Sequence, residues 1–338
     1  MEVLCKIRVP LYQVKIEDTV TLADNYIYLA SELFTCSEEE VPTAKRERLE
    51  FEMKLDSLDL GKLDTCLKHN DKIINMCLSE AEKGLDLVRL RCSSFLRPEF
   101  TPNPAGQLKS GFYEVEIIPD STSGFPIRTV AGLSKPMSAS NNWLGPEIDD
   151  IFNYNDYKLS EILLGHEESL LSGTIISSLR HCRQAFYTLG EESTFLALIF
   201  AIDGLTLPSH KWNSWKHRTY ISALASCGSV VKFEKILTEF DIAYTDIRNK
   251  LVHAGRGFSQ LQYKADEECE KLWEIYKSVL NLTLNKDFTE ISQLHDYATN
   301  LLKTTDYIDS YQAVINTLDG ARVNRDGSPK VISHPSWA

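Results

Sequence analysis

Residues 240–255 read Phe240-Asp241-Ile242-Ala243-Tyr244-Thr245-Asp246-Ile247-Arg248-Asn249-Lys250-Leu251-Val252-His253-Ala254-Gly255. Phe240, Tyr244, Ile247 and Leu251 are spaced four, three and four apart. At about 100° per residue they form one apolar stripe, and that stripe must face a core. Asn249 and His253, four apart, fall nearly opposite it, with Ile242 and Asp246 on the same face and Arg248 on the flank. Gly255 supplies a helix stop. The helix therefore buries one face in its own bundle and presents Arg248, Asn249, His253 and Ile242 elsewhere. An apolar residue among polar ones on an outward face suggests a second partner surface.

Outward from this stretch the chain reads as helical, with helices expected near 159–189, 194–207, 217–225, 230–254, 265–284 and 287–317. The segment from Thr194 to Ile202 is apolar all round, so that helix is expected at the centre of its bundle. It carries Asp203, and a carboxylate in so apolar a helix needs a partner. Arg180, Arg183 and Arg248 are the candidates, and a structural ion pair and a site role both stand open. Between these helices, His210-Lys211-Trp212-Asn213-Ser214-Trp215-Lys216-His217-Arg218 interleaves aromatics with cations. Aromatics stack on unpaired bases and cations hold phosphates, so Lys211, Trp212, Trp215, Lys216 and Arg218 are candidate RNA contacts. The plainer reading makes the tryptophans core plugs and the charges solvated.

An Arg, a polar residue and then a His late in a helical bundle resemble the HEPN ribonucleases. Ile247 to Gly255, the acid-bearing apolar helix before it, and the amphipathic helix Cys269 to Leu284 after it are similar to the ApeA-like branch. The resemblance covers roughly residues 160–285 and leaves the first 150 without a recognised family. It implies a homodimer packed through the motif helix, with one composite cleft and RNA as substrate. It implies catalytic roles for Arg248, Asn249, His253 and Asp203. His253 would transfer a proton, Arg248 would pair with the scissile phosphate, Asn249 would orient either, and Asp203 would hold Arg248. The 2′-hydroxyl would attack and leave a cyclic phosphate, with no metal and no cofactor. The family setting implies prokaryotic antiviral defence or a toxin, with a regulatory protein or antitoxin as a further partner. Two other readings remain open: a non-catalytic HEPN module for dimerisation or nucleotide binding, and a regulatory scaffold. On the plainest reading, His253 is a last-turn histidine favoured by the helix dipole. Arg248 is then a surface arginine paired with Asp246 or Asp241.

The N-terminal part reads differently. Residues 2–9 alternate, with Val3, Cys5, Ile7 and Val9 on one side, as a half-buried strand does. Residues 18–34 read as a helix, and 44–92 as two amphipathic helices with a break near Gly61 or Asn70. Residues 98–147 are rich in Pro and Gly, with short strands expected at Phe112 to Ile118 and Ile127 to Ala131. A domain edge is expected within 135–158. The fold class expected is mainly α: an N-terminal α+β domain (1–150), a sensor or regulatory candidate, then a HEPN-type helical bundle (151–320) and a polar tail (321–338).

Bulk properties bound these readings. The chain has 338 residues, enough for two domains, and a formal net charge of −12. That charge argues against avid non-specific nucleic-acid binding, which needs clustered Lys and Arg, but leaves room for a local basic patch. None of the 8 cysteines forms a C-x-x-C pair or has a His at zinc-finger spacing. A soluble, cytoplasmic, reduced protein is expected, with no signal peptide and no membrane span. P-loop, G-x-G-x-x-G, G-x-S-x-G and H-E-x-x-H motifs are absent from the sequence.

Overall fold

A computed structural model describes residues 1–12, 14–22, 26–29, 47–63, 67–108, 112–122, 124–125, 128–132, 147–148, 152–165, 169–206 and 214–321. The chain divides into two compact units, Met1–His166 and Glu167–Ala338. The expected polar tail beyond 321 lies outside the described residues.

The N-terminal unit contains β1 (Glu2–Leu11), β2 (Lys15–Ile16), β3 (Val20–Leu22), β4 (Tyr26–Leu29), β5 (Glu47–Asp56), α1 (Ser57–Gly61), α2 (Leu67–Cys92), β6 (Tyr113–Pro119), β7 (Arg128–Gly132), β8 (Glu147–Ile148) and α3 (Tyr154–Leu164). Among the described residues six strands form an antiparallel sheet in the order β3-β4-β5-β1-β6-β7, and β2 pairs with β8 in parallel. Val3, Cys5, Ile7 and Val9 are buried, as their alternation requires. Between them, Arg8 faces Glu50 on one neighbouring strand and Glu116 on the other, with its Nε 2.6 Å from the Glu50 carboxylate. Helix α2 packs on the sheet through Ile73, Ile74, Cys77, Ala81, Leu85 and Val88. The Tyr28 hydroxyl donates to the Gly84 carbonyl at 2.8 Å and ties the strand to the helix.

Two expectations for this unit fail. Val20–Leu22 and Tyr26–Leu29 pair as antiparallel strands where a helix over 18–34 is expected, with Tyr26 and Tyr28 fully buried on one side of β4. Residues 47–56 form a ten-residue strand. Leu49 and Met53 are four apart, a spacing that a helix face and a strand face share, and the intervening Phe51 decides for the strand. The break after Gly61 and the strands at 113–119 and 128–132 agree with the pattern. The boundary falls after His166 rather than at residue 150 because α3 belongs here: Arg91 pairs with Asp156 at 2.6 Å and Lys83 donates to the Leu163 carbonyl at 3.0 Å. Gly165, left-handed at φ 77°, ends α3 and splits the single helix expected over 159–189.

The C-terminal unit contains α4 (Leu170–Tyr187), α5 (Glu191–Thr206), α6 (Ser214–Ala225), α7 (Val230–Asp241), a π-helical turn (Ile242–Arg248), α8 (Asn249–Ala254), α9 (Ala265–Asn285), α10 (Ile291–Leu302) and α11 (Thr305–Ala321). Helix α5 is central: Phe195, Leu198, Ile199, Ala201, Ile202 and Leu205 are buried, and it packs on α4 and α9. Helix α9 brings Trp273 and Tyr276, stacked at 5.8 Å, against this core, and the Tyr276 hydroxyl meets Ser178 at 2.8 Å. The molecule is mainly helical with an N-terminal antiparallel sheet. Among the described residues, no helix is long and apolar enough to cross a membrane.

The buried irregular segment Thr101 to Gln107 carries the sharpest backbone constraint. Gly106 is left-handed at φ +75°, and a Cβ there would lie 2.4 Å from Leu78 Cδ2 and 3.1 Å from the Glu114 carbonyl oxygen. Gly106→Ala combines a disfavoured backbone conformation with overpacking and is expected to cost roughly 2–4 kcal/mol. Urea unfolding followed by circular dichroism checks this, with a lowered midpoint expected.

Candidate functional site

The residues singled out by the motif sit on the segment running from α7 through the π-helical turn into α8. Phe240, Tyr244, Ile247 and Leu251 are all buried, so the expected apolar stripe holds. The backbone between Ile242 and Arg248 is wound with i→i+5 hydrogen bonds, a geometry that an even 100° rotation does not anticipate. Asp241, at the end of α7, is fully buried, and so is Ala243 in the turn. Ile242 and Asp246 are half-buried, Asn249 and His253 are exposed, and Val252 beside them is exposed too. Gly255, at φ 60°, ends the helix, and the Arg256 N–H donates to the Lys250 carbonyl at 3.2 Å. The following loop is pinned where Glu192, in the first turn of α5, accepts from the Phe258 N–H at 3.0 Å. A Cβ at Gly257 would lie 2.7 Å from that carboxylate oxygen, so the chain passes close to the tip of Glu192.

Behind the exposed face lies a partly buried polar cluster. Asp203 on α5 finds its partner in Tyr244, not in an arginine. The Tyr244 hydroxyl lies 2.5 and 2.7 Å from the two carboxylate oxygens, so its one proton is shared between them. The Arg248 guanidinium lies over the Tyr244 ring, 5.1 Å from its centroid. Among the described residues Arg248 makes no ion pair within 4.0 Å, its Nη1 reaches Asn249 Oδ1 only at 3.4 Å, and its buried Nε has no hydrogen-bond partner. His217 on α6 completes the group, with Nε2 3.6 Å from Asp203 and 3.3 Å from the Thr206 hydroxyl. Its ring meets those of Tyr244 and Phe240 edge-on at 5.5 and 6.1 Å.

Electrostatics follow from this burial. Desolvation pushes the Asp203 pKa up from 3.8 to about 6, against the Tyr244 hydrogen bond and the Arg248 charge, which both lower it. Desolvation and the charges of Arg218 and Arg248 push His217 down from 6.5 to about 3, so it is neutral at pH 7. The short Asp203–His217 distance is therefore a contact between a carboxylate and a neutral imidazole.

Asn249 and His253 share one outward face of α8, with Arg248 on the same segment and Asp203 linked to Arg248 through Tyr244. The aromatic-cationic strip fares differently. Lys211 and Trp212 lie outside the described residues, and Trp215 is described only as a backbone position in α6. Lys216 is half-buried with its ammonium 5.3 Å from the Tyr220 ring. Arg218 departs from the expected RNA contact. It is 7 % exposed and its Nε lies 2.8 Å from the fully buried Asp241, which makes it a core residue. Tyr244 escaped the sequence reading because its helical register alone accounts for it as core. The signal pointing to it was the need of Asp203 for a partner, which hydroxyls meet as well as arginines do. Among the described residues, no three His, Cys, Asp or Glu side chains gather as a metal site.

Searches against family models, curated proteins and solved structures found no match.

Two measurements check this geometry. Arg218→Met leaves the buried Asp241 charge uncompensated and is expected to cost about 3–5 kcal/mol in urea unfolding, where a surface RNA contact would cost almost nothing. The second is pH dependence. Asp203, raised, contributes stability at low pH that is lost as pH climbs through about 6, whereas His217, lowered, contributes stability above 6.5 that is lost as pH falls towards about 3. The two oppose each other between pH 4 and 6. Asp203→Asn leaves His217 unopposed, so stability is expected to fall more steeply than in the wild type over that range, by up to about 1.4 kcal/mol per pH unit. Unfolding curves at pH 4.5, 5.5 and 7 read the difference.

Proposed function

We propose that the chain is an RNA endonuclease of the HEPN type, acting by 2′-hydroxyl attack without a resident metal at a site shared by two copies of the motif helix. The observation that carries the reading is the pairing, on one segment, of an exposed histidine with an arginine that makes no ion pair within 4.0 Å among the described residues. His253 stands in the last turn of α8 with Asn249 one turn before it. It makes no hydrogen bond among the described residues, so its ring nitrogens are open to a substrate. Arg248 offers N–H groups in a fixed fork, which suits two oxygens of a phosphodiester.

In this reading Arg248 binds the scissile phosphate and offsets the charge that grows on its oxygens. The 2′-oxygen forms a bond to phosphorus while the bond to the 5′-oxygen breaks. The 2′-hydroxyl loses its proton to a base and the departing 5′-oxygen gains one. The products are a 2′,3′-cyclic phosphate and a 5′-hydroxyl. His253 performs one of these proton transfers, for which an imidazole is suited near neutral pH. Asn249, on the same face, orients the phosphate or the imidazole. Exposed Val252 beside His253 favours a homodimer packed through α8, which brings two such faces together. A role in antiviral defence or as a toxin, restrained by the N-terminal unit, a regulatory protein or an antitoxin, fits an endonuclease whose activity must be held in check. A non-catalytic HEPN module for dimerisation or nucleotide binding is the alternative.

Incubation of wild type, His253→Ala and Arg248→Ala with cellular RNA in EDTA tests the reading. Wild type is expected to leave cyclic-phosphate ends, with cleavage by each variant reduced about 100-fold or more. Equal cleavage by wild type and His253→Ala overturns the assignment. Absence of cleavage by a dimeric wild type, with nucleotide bound instead, favours the non-catalytic module.

A further inference from the structure

We infer that Tyr244 is a positioning residue for anion capture: its ring is the platform that carries the Arg248 guanidinium, and its hydroxyl, locked to Asp203, fixes that platform. The inference rests on the reading of Arg248 as the phosphate-binding group and adds how that group is held.

The resemblance assigns the holding of Arg248 to Asp203, but the geometry separates them. No ion pair joins the two within 4.0 Å among the described residues. Tyr244 stands between them, with its hydroxyl 2.5 and 2.7 Å from the carboxylate oxygens and its ring 5.1 Å from the guanidinium carbon. Three groups keep the ring from moving. Phe240 packs at 5.4 Å and His217 at 5.5 Å, both edge-on, while Asp203 holds the hydroxyl end. Tyr244 and Arg248 both lie in the π-helical turn, and Arg248 follows Tyr244 by four residues, so the winding that is unusual here sets their spacing. A π face attracts a cation without occupying its N–H groups. A direct Asp203–Arg248 ion pair would take the N–H groups that a phosphate needs. Stacking on Tyr244 instead leaves the outer Nη groups without an ion pair among the described residues.

A double-mutant cycle on phosphodiester binding tests the inference. The probe is a fluorescent 2′-deoxyoligonucleotide, which presents phosphodiesters but lacks the attacking hydroxyl, so binding is read without turnover. Full-length wild type, Arg248→Ala, Tyr244→Leu, Tyr244→Phe and the Arg248→Ala/Tyr244→Leu double variant are compared, with circular dichroism melts verifying that each is folded. Tyr244→Leu is expected to weaken binding about tenfold, as Arg248→Ala does, and the double variant to be no weaker than either single one. Tyr244→Phe keeps the ring and loses only the lock, so it is expected to recover most of the loss, to within about threefold of wild type. Additive losses in the double variant, or full binding by a folded Tyr244→Leu, overturn the inference and leave the role of Arg248 intact. Equal binding by wild type and Arg248→Ala removes the phosphate-binding reading itself, and the inference with it.

Discussion

The carboxylate of Asp203, half-buried on the strongly apolar helix α5, is the constraint on which the polar cluster of the C-terminal unit depends. A charge in that position is expensive unless it is hydrogen-bonded, and desolvation lifts its pKa to about 6. The Tyr244 hydroxyl meets the need with a single proton shared between two oxygens. Everything near this bond is set by it. Tyr244 must face α5, His217 must stay neutral between Asp203 and Thr206, and Arg248 comes to rest on the outer face of the tyrosine ring. The packing of a core and the presentation of a charge thus share one hydrogen bond.

The amphipathic reading of residues 240–255 was legible because a four-three-four spacing admits one solution over so many turns. It located the buried stripe and the outward Asn249 and His253 without any structure. The π-helical turn was not legible, since no residue between Ile242 and Arg248 announces a wider winding. Nor was the burial of Asp241, which lies at the end of α7 on the face of Leu237 and Phe240 and takes Arg218 into the core with it. A cation in a Trp-rich strip looks the same in sequence whether it faces solvent or a buried carboxylate. The difference lies in Asp241, more than 20 residues away. In the N-terminal unit the long strand over 47–56 was hidden for a related reason. Leucine and methionine every fourth residue satisfy both periods, and only the partner strand β1 breaks the tie.

Two guanidiniums lie close to this cluster, and the contrast between them argues for their division of labour. Arg218 is buried against a fully buried carboxylate, so its charge is neutralised inside the protein. Arg248 contributes to the potential at both Asp203 and His217, yet no carboxylate lies within ion-pair distance of it among the described residues. The two charges are thus met differently, Arg218 by a buried carboxylate and Arg248 by the face of an aromatic ring. On the proposed ribonuclease reading, a phosphate would pair with the outer groups of this guanidinium. With a net charge of −12, such recognition would rest on a few cations placed by rigid neighbours rather than on the overall field, and Arg248, set on Tyr244 beside the face that carries Asn249 and His253, would be one of them.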